Sequence, residues 1–503
     1  MRQLSKSKII AFRQCPKRLW LELHRPDLRD DSGSEFAFAV GNQVGDIARS
    51  IYDPEQKGHL IDINEVGWDT AFSATTDWLA DQDSPLFEAA LRIPGALALA
   101  DVMLPQRSDN DLHWHMIEVK SSTQVKDYHH DDIAVQAYVA QASGLPLTKV
   151  ALAHVDNTFV YPGGGDYQGL LTEVDMTEEA FSRTEEVAGW LTEAQAIAAL
   201  PDEPSIEPGP QCHQPFRCSF CAHCIPEKEL SDYPLTSFYR LRTAGIERLE
   251  AAGYQDVRDV PADQLSYINQ RIREHTISGE PYFDQEGAAA DLAQFPGEPR
   301  FLDFETIGFA VPIWAGTRPY QQIPFQFSLH HLDKEGKIQH HEFLDTSGSD
   351  PRLAMIRALI DSCGDSHDHG PIFAYNAPFE KRVIADLIAA FPVEAVALTS
   401  ILERIEDLLP IARARYYHPS QHGSWSIKAV LPALCPELSY SDLDEVQNGE
   451  LAQQAYLEAI APETQEPRRQ TIHHQLLKYC ELDTFGLVKM WQFFLKASQQ
   501  AHT

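Results

Sequence analysis

Three groups of residues carry the chemistry of this sequence. In ALADVMLP and IEVKSS, Asp101 ends one apolar run, and Glu118 and Lys120 sit two apart on the next. Spacing of two on a strand points both side chains to one face. Two carboxylates from neighbouring strands can hold Mg²⁺ or Mn²⁺. The Lys120 ammonium can then orient the attacking water or offset charge developing on phosphorus. The second group is more acidic. FLDFET puts Asp303 and Glu305 on one strand face, AYNAPFEKRVI brings Asn376 and Glu380, and YCELD brings Tyr479 and Asp483 one helical turn apart. Four converging carboxylates repel one another, and two Mg²⁺ or Mn²⁺ ions offset that charge. The third group is Cys15 with Cys212, Cys218, Cys221 and Cys224. Thiolates bind iron–sulfur clusters and Zn²⁺ alike.

The first group resembles the RecB-like branch of the PD-(D/E)XK nucleases. That branch places a Gln, often followed by Tyr, on the next helix, and DDIAVQAYVA supplies Gln136 and Tyr138. Glu88, in SPLFEAAL, falls where the branch often has a further acidic metal ligand. The chain departs from the branch at its early metal-binding His. GNQVGD has Gly45 at that place, with Asp46 as the neighbouring substitute. One early Cys with a late triplet resembles the RecB-like nucleases that carry a [4Fe–4S] cluster. This implies ligation by Cys15, Cys212, Cys218 and Cys224, with Cys221 as alternate. A zinc site is the competing reading, using the late four cysteines or adding His213 or His223.

The acidic group resembles the DEDD 3′–5′ exonucleases of the ribonuclease-H-like fold, in the subgroup with Tyr in the last motif. D-x-E, N-x-x-x-D and Y-x-x-x-D all have counterparts here, with Glu380 where Asp is usual. The extra methylene moves that carboxylate by about 1.5 Å. The resemblance implies that Asp303, Glu305, Glu380 and Asp483 hold two metals and that Tyr479 orients the attacking water. Over nearly its whole length the chain resembles an uncharacterised bacterial family that joins these two nucleases.

Alternating strand and helix patterns must position these groups, which implies an α/β fold. Strands are expected at Leu97–Leu104, Trp114–Val119, Val150–Val155, Phe301–Thr306, Gln326–Leu332 and Ile372–Tyr375. Helices are expected at Lys8–His24, Asp131–Ala142, 378–390, 424–434 (capped by Ser424) and 470–497. The expected organisation has three parts. Residues 1–235 form a PD-(D/E)XK restriction-endonuclease-like domain with the cysteines. Residues 236–297 form a helical connector, and residues 298–503 form a ribonuclease-H-like domain. Within the connector, GIERLEAAGYQDVRDV has the rhythm of a helix–hairpin–helix, with a plain connector as the alternative.

The 503 residues carry 41 basic and 74 acidic side chains, a net charge of −33. Such acidity opposes a general phosphate binder. It admits a nuclease with one basic track on an acidic body. Eight of the first 29 residues are Lys or Arg, which places that track at the N-terminus. His129–His130 and His340–His341 read as surface pairs. No apolar run reaches the ~18 residues of a membrane span, and a cytoplasmic protein is expected. The expected activity is Mg²⁺- or Mn²⁺-dependent phosphodiester hydrolysis at two sites. DNA is the preferred substrate and RNA the alternative. A basic partner in a repair or defence complex would supply further grip. The competing class is a nucleic-acid-binding or scaffold protein with one or both sites inactive.

Overall fold

The computed structural model describes the chain except residues 31–33, 82, 109–110, 226–230, 365–369, 439–442, 444 and 496–503. The chain forms two compact units: residues 1–228 with 309–321, and residues 229–308 with 322–503. Each is built from mixed sheets and helices.

The first unit holds seven strands: β1 (Leu4–Ser5), β2 (His59–Leu60), β3 (Leu86–Ile93), β4 (Ala96–Ser108), β5 (Asp111–Lys120), β6 (Leu147–Val155) and β7 (Leu171–Asp175). Their order is β2-β3-β4-β5-β6-β7, with β1 also beside β4. β3, β4 and β5 run antiparallel, and β5 and β6 are parallel. A parallel pair needs a crossover, and the Asp127–Ala142 helix provides it. Its Ile133, Val135 and Val139 are buried, and Ala134, Ala137 and Ala140 let it lie close to the sheet.

The helix expected over Lys8–His24 is instead two, Lys6–Gln14 and Pro16–His24, with Cys15 extended between them. Proline has no N–H and drives the preceding residue out of the helical region, so the break falls at Cys15. The excursion 309–321 belongs to this unit. Ala310 and Val311 pack on Val44, Val155 and Leu170. Tyr161 N–H donates to the Thr317 carbonyl at 3.0 Å.

The second unit contains β8 (Tyr282–Phe283), β9 (Arg300–Ile307), β10 (Ile323–Leu332), β11 (Ile338–Leu344), β12 (Ile372–Ala374), β13 (Ile405–Asp407) and β14 (Tyr416–Tyr417). The main sheet has the order β11-β10-β9-β12-β13, and β8 pairs with β14. β9, β10 and β11 are antiparallel neighbours, and β12 and β13 run parallel to β9. Period-two alternation splits β9 between two cores. Leu302 and Phe304 pack with Met355, Ile356 and Ile384. Phe301 packs with Leu487, Met490 and Phe494 of the long Glu466–Leu495 helix. Residues 301, 303 and 305 therefore share the face turned to that helix.

Residues 236–297, read from the sequence as a connector, lie within this unit. Three helices there, Thr243–Ala251, Tyr267–Ser278 and Gln285–Leu292, bury Leu249, Ile272 and Leu292 in the same core as Phe301. The helix in GSWSIKAVLPAL begins later than its pattern suggests, at Ile427 with Ser426 as its cap residue rather than Ser424. The expected final residues of the long helix, 496–497, lie outside the described ones.

Gly423 joins the Tyr417–Trp425 loop to this unit. Its φ is +74°, and a Cβ there would overlap the Ser237 carbonyl oxygen. Both the backbone region and the space exclude a side chain. Gly423→Ala should cost roughly 2–3 kcal/mol. Thermal or denaturant unfolding reads this, and an unchanged midpoint would refute the close approach.

Candidate functional site

The acidic group of the second unit assembles around β9 and the Glu466–Leu495 helix. Asp303 and Glu305 project from the shared β9 face, and Tyr479 and Asp483 stand one turn apart on the helix above. One carboxylate oxygen each from Asp303, Glu305 and Asp483 lies within 4.8 Å of the others. A cavity of about 200 Å³ opens over them, lined also by Tyr375, Lys428 and Tyr479. The Lys428 ammonium stands 5.2 Å from the centre of the Tyr479 ring.

Glu380 lies apart from that triad. It is buried in the first turn of the Pro378–Ala390 helix, and its Oε2 has no hydrogen-bond partner. It still acts on Asp303 through charge.

Burial and mutual repulsion set the protonation of this group. Asp303 is driven well above the usual carboxylate range by burial, then by Asp483 and Glu305. Glu305 is pushed up to about 8 by burial and Asp483, against Lys428. Burial takes Glu380 to about 7. Burial, then Asp483 and Glu305, raise the Tyr479 phenol far above its ordinary value. Among the described residues no Lys or Arg ion pair offsets Asp303, Glu305 or Glu380. This is a donor set suited to hard divalent cations, all oxygen and anionic once ionised.

The first unit lays its acidic residues in a row. The register Phe87↔Val102 and Ala89↔Ala100 sets Glu88 opposite Asp101, and Val102↔Ile117 with Met103↔Met116 sets Asp101 opposite Glu118. Glu88 adopts φ +56° within its strand, a strained position for a side-chain-bearing residue. Asp101 Oδ2 accepts from Val119 N–H at 2.7 Å. Gln136 donates to Glu118 Oε2 at 2.5 Å and to the Leu99 carbonyl at 2.6 Å. Lys120 reaches Glu118 Oε1 at 2.6 Å and Asp132 at 2.5 Å. Tyr138 is a half-buried member of the core.

Lys6, Asp132 and His129 complete the surroundings, and sequence reading missed all three. Lys6 Nζ lies 2.7 Å from Glu118 Oε1 and 3.3 Å from Asp132. Asp132 had a signal, since it lies four residues before Gln136 on one helix face. Lys6 had none. His129 is buried rather than exposed, and burial and Lys120 hold it down to about 4. Burial alone would raise Glu118, but Lys120 and Lys6 hold it well below the usual range. Asp101 goes the opposite way, raised by burial and by Glu118. Gly45 has open space where a side chain would stand. Its neighbour Asp46 is exposed and ion-paired with Arg49.

The N-terminal basic track is not a free one. Lys8 and Arg18 pair with Glu22, Arg13 with Asp131, Lys17 with Glu203 and Arg25 with Asp27. With Lys6, six of the eight basic residues of that stretch are committed to carboxylates inside the unit.

All five predicted cysteines, Cys15, Cys212, Cys218, Cys221 and Cys224, line one small cavity with Lys17 and Arg18. Cys212 follows the acidic, proline-rich segment, and Cys221–Cys224 is a single helical turn. Gln14 donates to the carbonyls of Gln211 and Phe216 at 2.9 and 2.8 Å, fastening the N-terminal helices to the cysteine loop. Cys218 is raised by burial, and Cys224 is pushed up to about 11 by burial against Lys17. No three of the five Sγ atoms gather within 4.8 Å. Tetrahedral zinc thiolates stand roughly 3.8 Å apart at a 2.3 Å bond length.

Carboxyls with raised folded-state values stabilise the fold in their protonated form. That contribution is complete below about 4.3, the unfolded Glu value. It is lost as pH rises through about 7 for Glu380 and about 8 for Glu305. In chelator, the thermal midpoint should fall between about pH 5 and pH 8.5, and Mn²⁺ should remove most of the fall. A profile in chelator that stays level would mean the carboxyls do not share a buried site.

The sequence model of a family described as a domain of unknown function (DUF2779) matches residues 300–426. The match takes in Asp303, Glu305 and Glu380 and ends before Tyr479 and Asp483. No curated protein matches the chain.

Proposed function

We propose that this chain is a metal-dependent nuclease that hydrolyses phosphodiester bonds, with its main site at Asp303, Glu305 and Asp483. The observation that carries this reading is the meeting of three carboxylates from β9 and the long helix within 4.8 Å; among the described residues no Lys or Arg forms an ion pair with Asp303 or Glu305. The sheet, three antiparallel strands continued by two parallel ones, supports a ribonuclease-H-like assignment for the second unit. The row Glu88–Asp101–Glu118 with Lys120 and Gln136 supports a PD-(D/E)XK assignment for the first.

Asp303, Glu305 and Asp483 would hold Mg²⁺ or Mn²⁺, with Glu380 and its orphaned Oε2 close enough to feel Asp303. Bound divalent cations supply an activated water and offset charge on the leaving oxygen. Tyr479 keeps its proton throughout the neutral range, so it acts as a hydrogen-bond donor that orients the attacking water. Lys428 lines the same cavity and supplies positive charge to a phosphate. By resemblance, this site removes nucleotides from a 3′ end. DNA is the preferred substrate and RNA the alternative.

The cysteines would hold a structural cluster joining the N-terminal helices to the end of the first unit. One early Cys with a late triplet, all lining one small cavity, supports [4Fe–4S] through the resemblance to RecB-like nucleases that carry that cluster. An anaerobically purified protein should therefore show the visible absorbance of iron–sulfur, and a colourless zinc protein would reject it.

A second reading concerns the first unit. Both oxygens of Glu118 are already taken, Oε1 by Lys6 and Lys120 and Oε2 by Gln136. With Gly45 in place of a histidine, this favours a first site that binds nucleic acid without cutting it. Labelled DNA and RNA strands with Mn²⁺ test both readings. Asp303→Asn and Asp483→Asn should each lower cleavage at least ~100-fold, and Tyr479→Phe roughly 10–100-fold in kcat. Cleavage that survives Asp303→Asn and Asp483→Asn would overturn the main assignment. If Asp101→Asn leaves cleavage unchanged, the first site is silent and the second reading holds.

A further inference from the structure

A second cavity of the same unit, about 630 Å³, adjoins the carboxylate one, and Tyr375 and Ile427 line both. That volume falls in the range of organic-ligand sites. The chain carries 74 acidic residues in 503. Among the described residues no Asp or Glu lines this cavity, whereas Arg240, Arg413 and His422 do. Arg413 Nη1 donates to the Tyr239 hydroxyl at 2.8 Å, and the Arg240 guanidinium stands 5.2 Å from the centre of the Tyr239 ring. Among the described residues neither arginine forms an ion pair with a carboxylate. Arg415, two residues on, pairs with both Asp284 and Asp291. An acidic protein that keeps carboxylates out of one cavity and guanidinium groups in it has made a local site for an anion.

Phe238, Tyr239 and Tyr375 give the same cavity aromatic surface. These rings are held in place. Asn269 accepts from Tyr239 N–H at 2.8 Å, and Tyr239 packs edge-on to Trp425 with ring centres 5.3 Å apart. The Tyr375 hydroxyl donates to the Trp425 carbonyl at 2.7 Å. Backbone strain gathers at the same place. Six described non-glycine residues have positive φ, and three of them, Arg240 (+51°), Asn376 (+69°) and His422 (+44°), line this cavity. Such conformations cluster at binding sites, where the surrounding structure holds them. Asp407 does so for Asn376, accepting from its N–H and from that of Leu409 at 2.9 Å each.

Guanidinium groups interleaved with aromatic rings suit a single strand of nucleic acid. A single strand offers phosphates together with unstacked base faces. A duplex keeps its bases stacked within and would leave the aromatic surface unused. We propose that this cavity seats a single nucleic-acid strand and leads it into the carboxylate cavity, with Arg240 and Arg413 on its phosphates and Tyr239 and Tyr375 against its bases. Residues 236–240, read from the sequence as the start of a connector, thereby become part of a binding surface. The role as an approach to the carboxylates rests on the nuclease reading of that site.

Equilibrium binding of fluorescent oligo(dT) and oligo(U), each of about 12 nucleotides, to the full chain tests it, in chelator so that nothing is cut. Arg240 is exposed, so Arg240→Ala should fold, and its thermal midpoint checks this. Arg240→Ala and Arg413→Ala should each weaken binding roughly 10-fold. Each should also flatten the slope of log affinity against log salt by about 0.7. Strands carrying 5-iodouracil should photocrosslink to Tyr239, Tyr375 or His422, and a duplex of equal length should bind more weakly. Wild-type affinity in both variants, crosslinks confined to other residues, or a duplex bound as tightly would overturn the proposal. Cleavage with Mn²⁺ is read separately. A chain that binds in this way and cuts nothing keeps the strand site and loses the nuclease reading. A chain that cuts while both variants bind normally does the reverse.

Discussion

Burying like charges side by side is the constraint around which both units are organised. A carboxylate taken out of water beside another must find a cation, keep a proton or force its neighbour apart. The two sheets answer differently. In the first unit Glu118 is ionised because two ammonium groups reach it, and the cost falls on Asp101, which is raised. In the second, no Lys or Arg among the described residues forms an ion pair with Asp303 or Glu305, and burial beside Asp483 raises both carboxyls. The contrast separates a site whose charge is balanced from within from one that is left unbalanced.

Local periodicity made much of this legible. Asp303 and Glu305 fall two apart on a strand, and Tyr479 and Asp483 fall four apart on a helix. Both spacings determine a shared face without reference to the rest of the chain. Gln136 was legible through the resemblance to RecB-like nucleases, which place a Gln on that helix. What local patterns do not contain is register and distance. Lys6 meets Glu118 across more than a hundred residues and belongs to no motif. The facing of His330 and His340 appears only once the β10–β11 register is known, and two adjacent histidines in sequence, His340 and His341, point to opposite faces. Charge was read too simply as well. A basic stretch at the N-terminus suggests a phosphate track, yet it is neutralised by Glu22 and Asp27 within the stretch and by Glu118, Asp131, Asp132 and Glu203 far along the chain.

Two local rules overrode broader patterns. The hydrophobic spacing of Lys8–His24 favours one helix, but Pro16 divides it and leaves Cys15 extended at the junction. That places a thiol at a corner, where it meets a loop from almost two hundred residues later. Similarly, Ser424 and Ser426 both suit a helix start, and the loop held by Gly423 against Ser237 delays the start to the second.

The excursion at 309–321 bears on how the molecule can be dissected. The polypeptide passes between the two units three times, near residues 228, 308 and 321. A chain ended just before β9 would lack Ala310, Val311 and Thr317, leaving Val44, Val155 and Leu170 without their cover and the Tyr161 backbone without its acceptor. A chain begun there would carry that strip of apolar residues with nothing of its own unit to bury it. The units are compact as folded bodies but interleaved as sequence, so no single cut yields both halves whole.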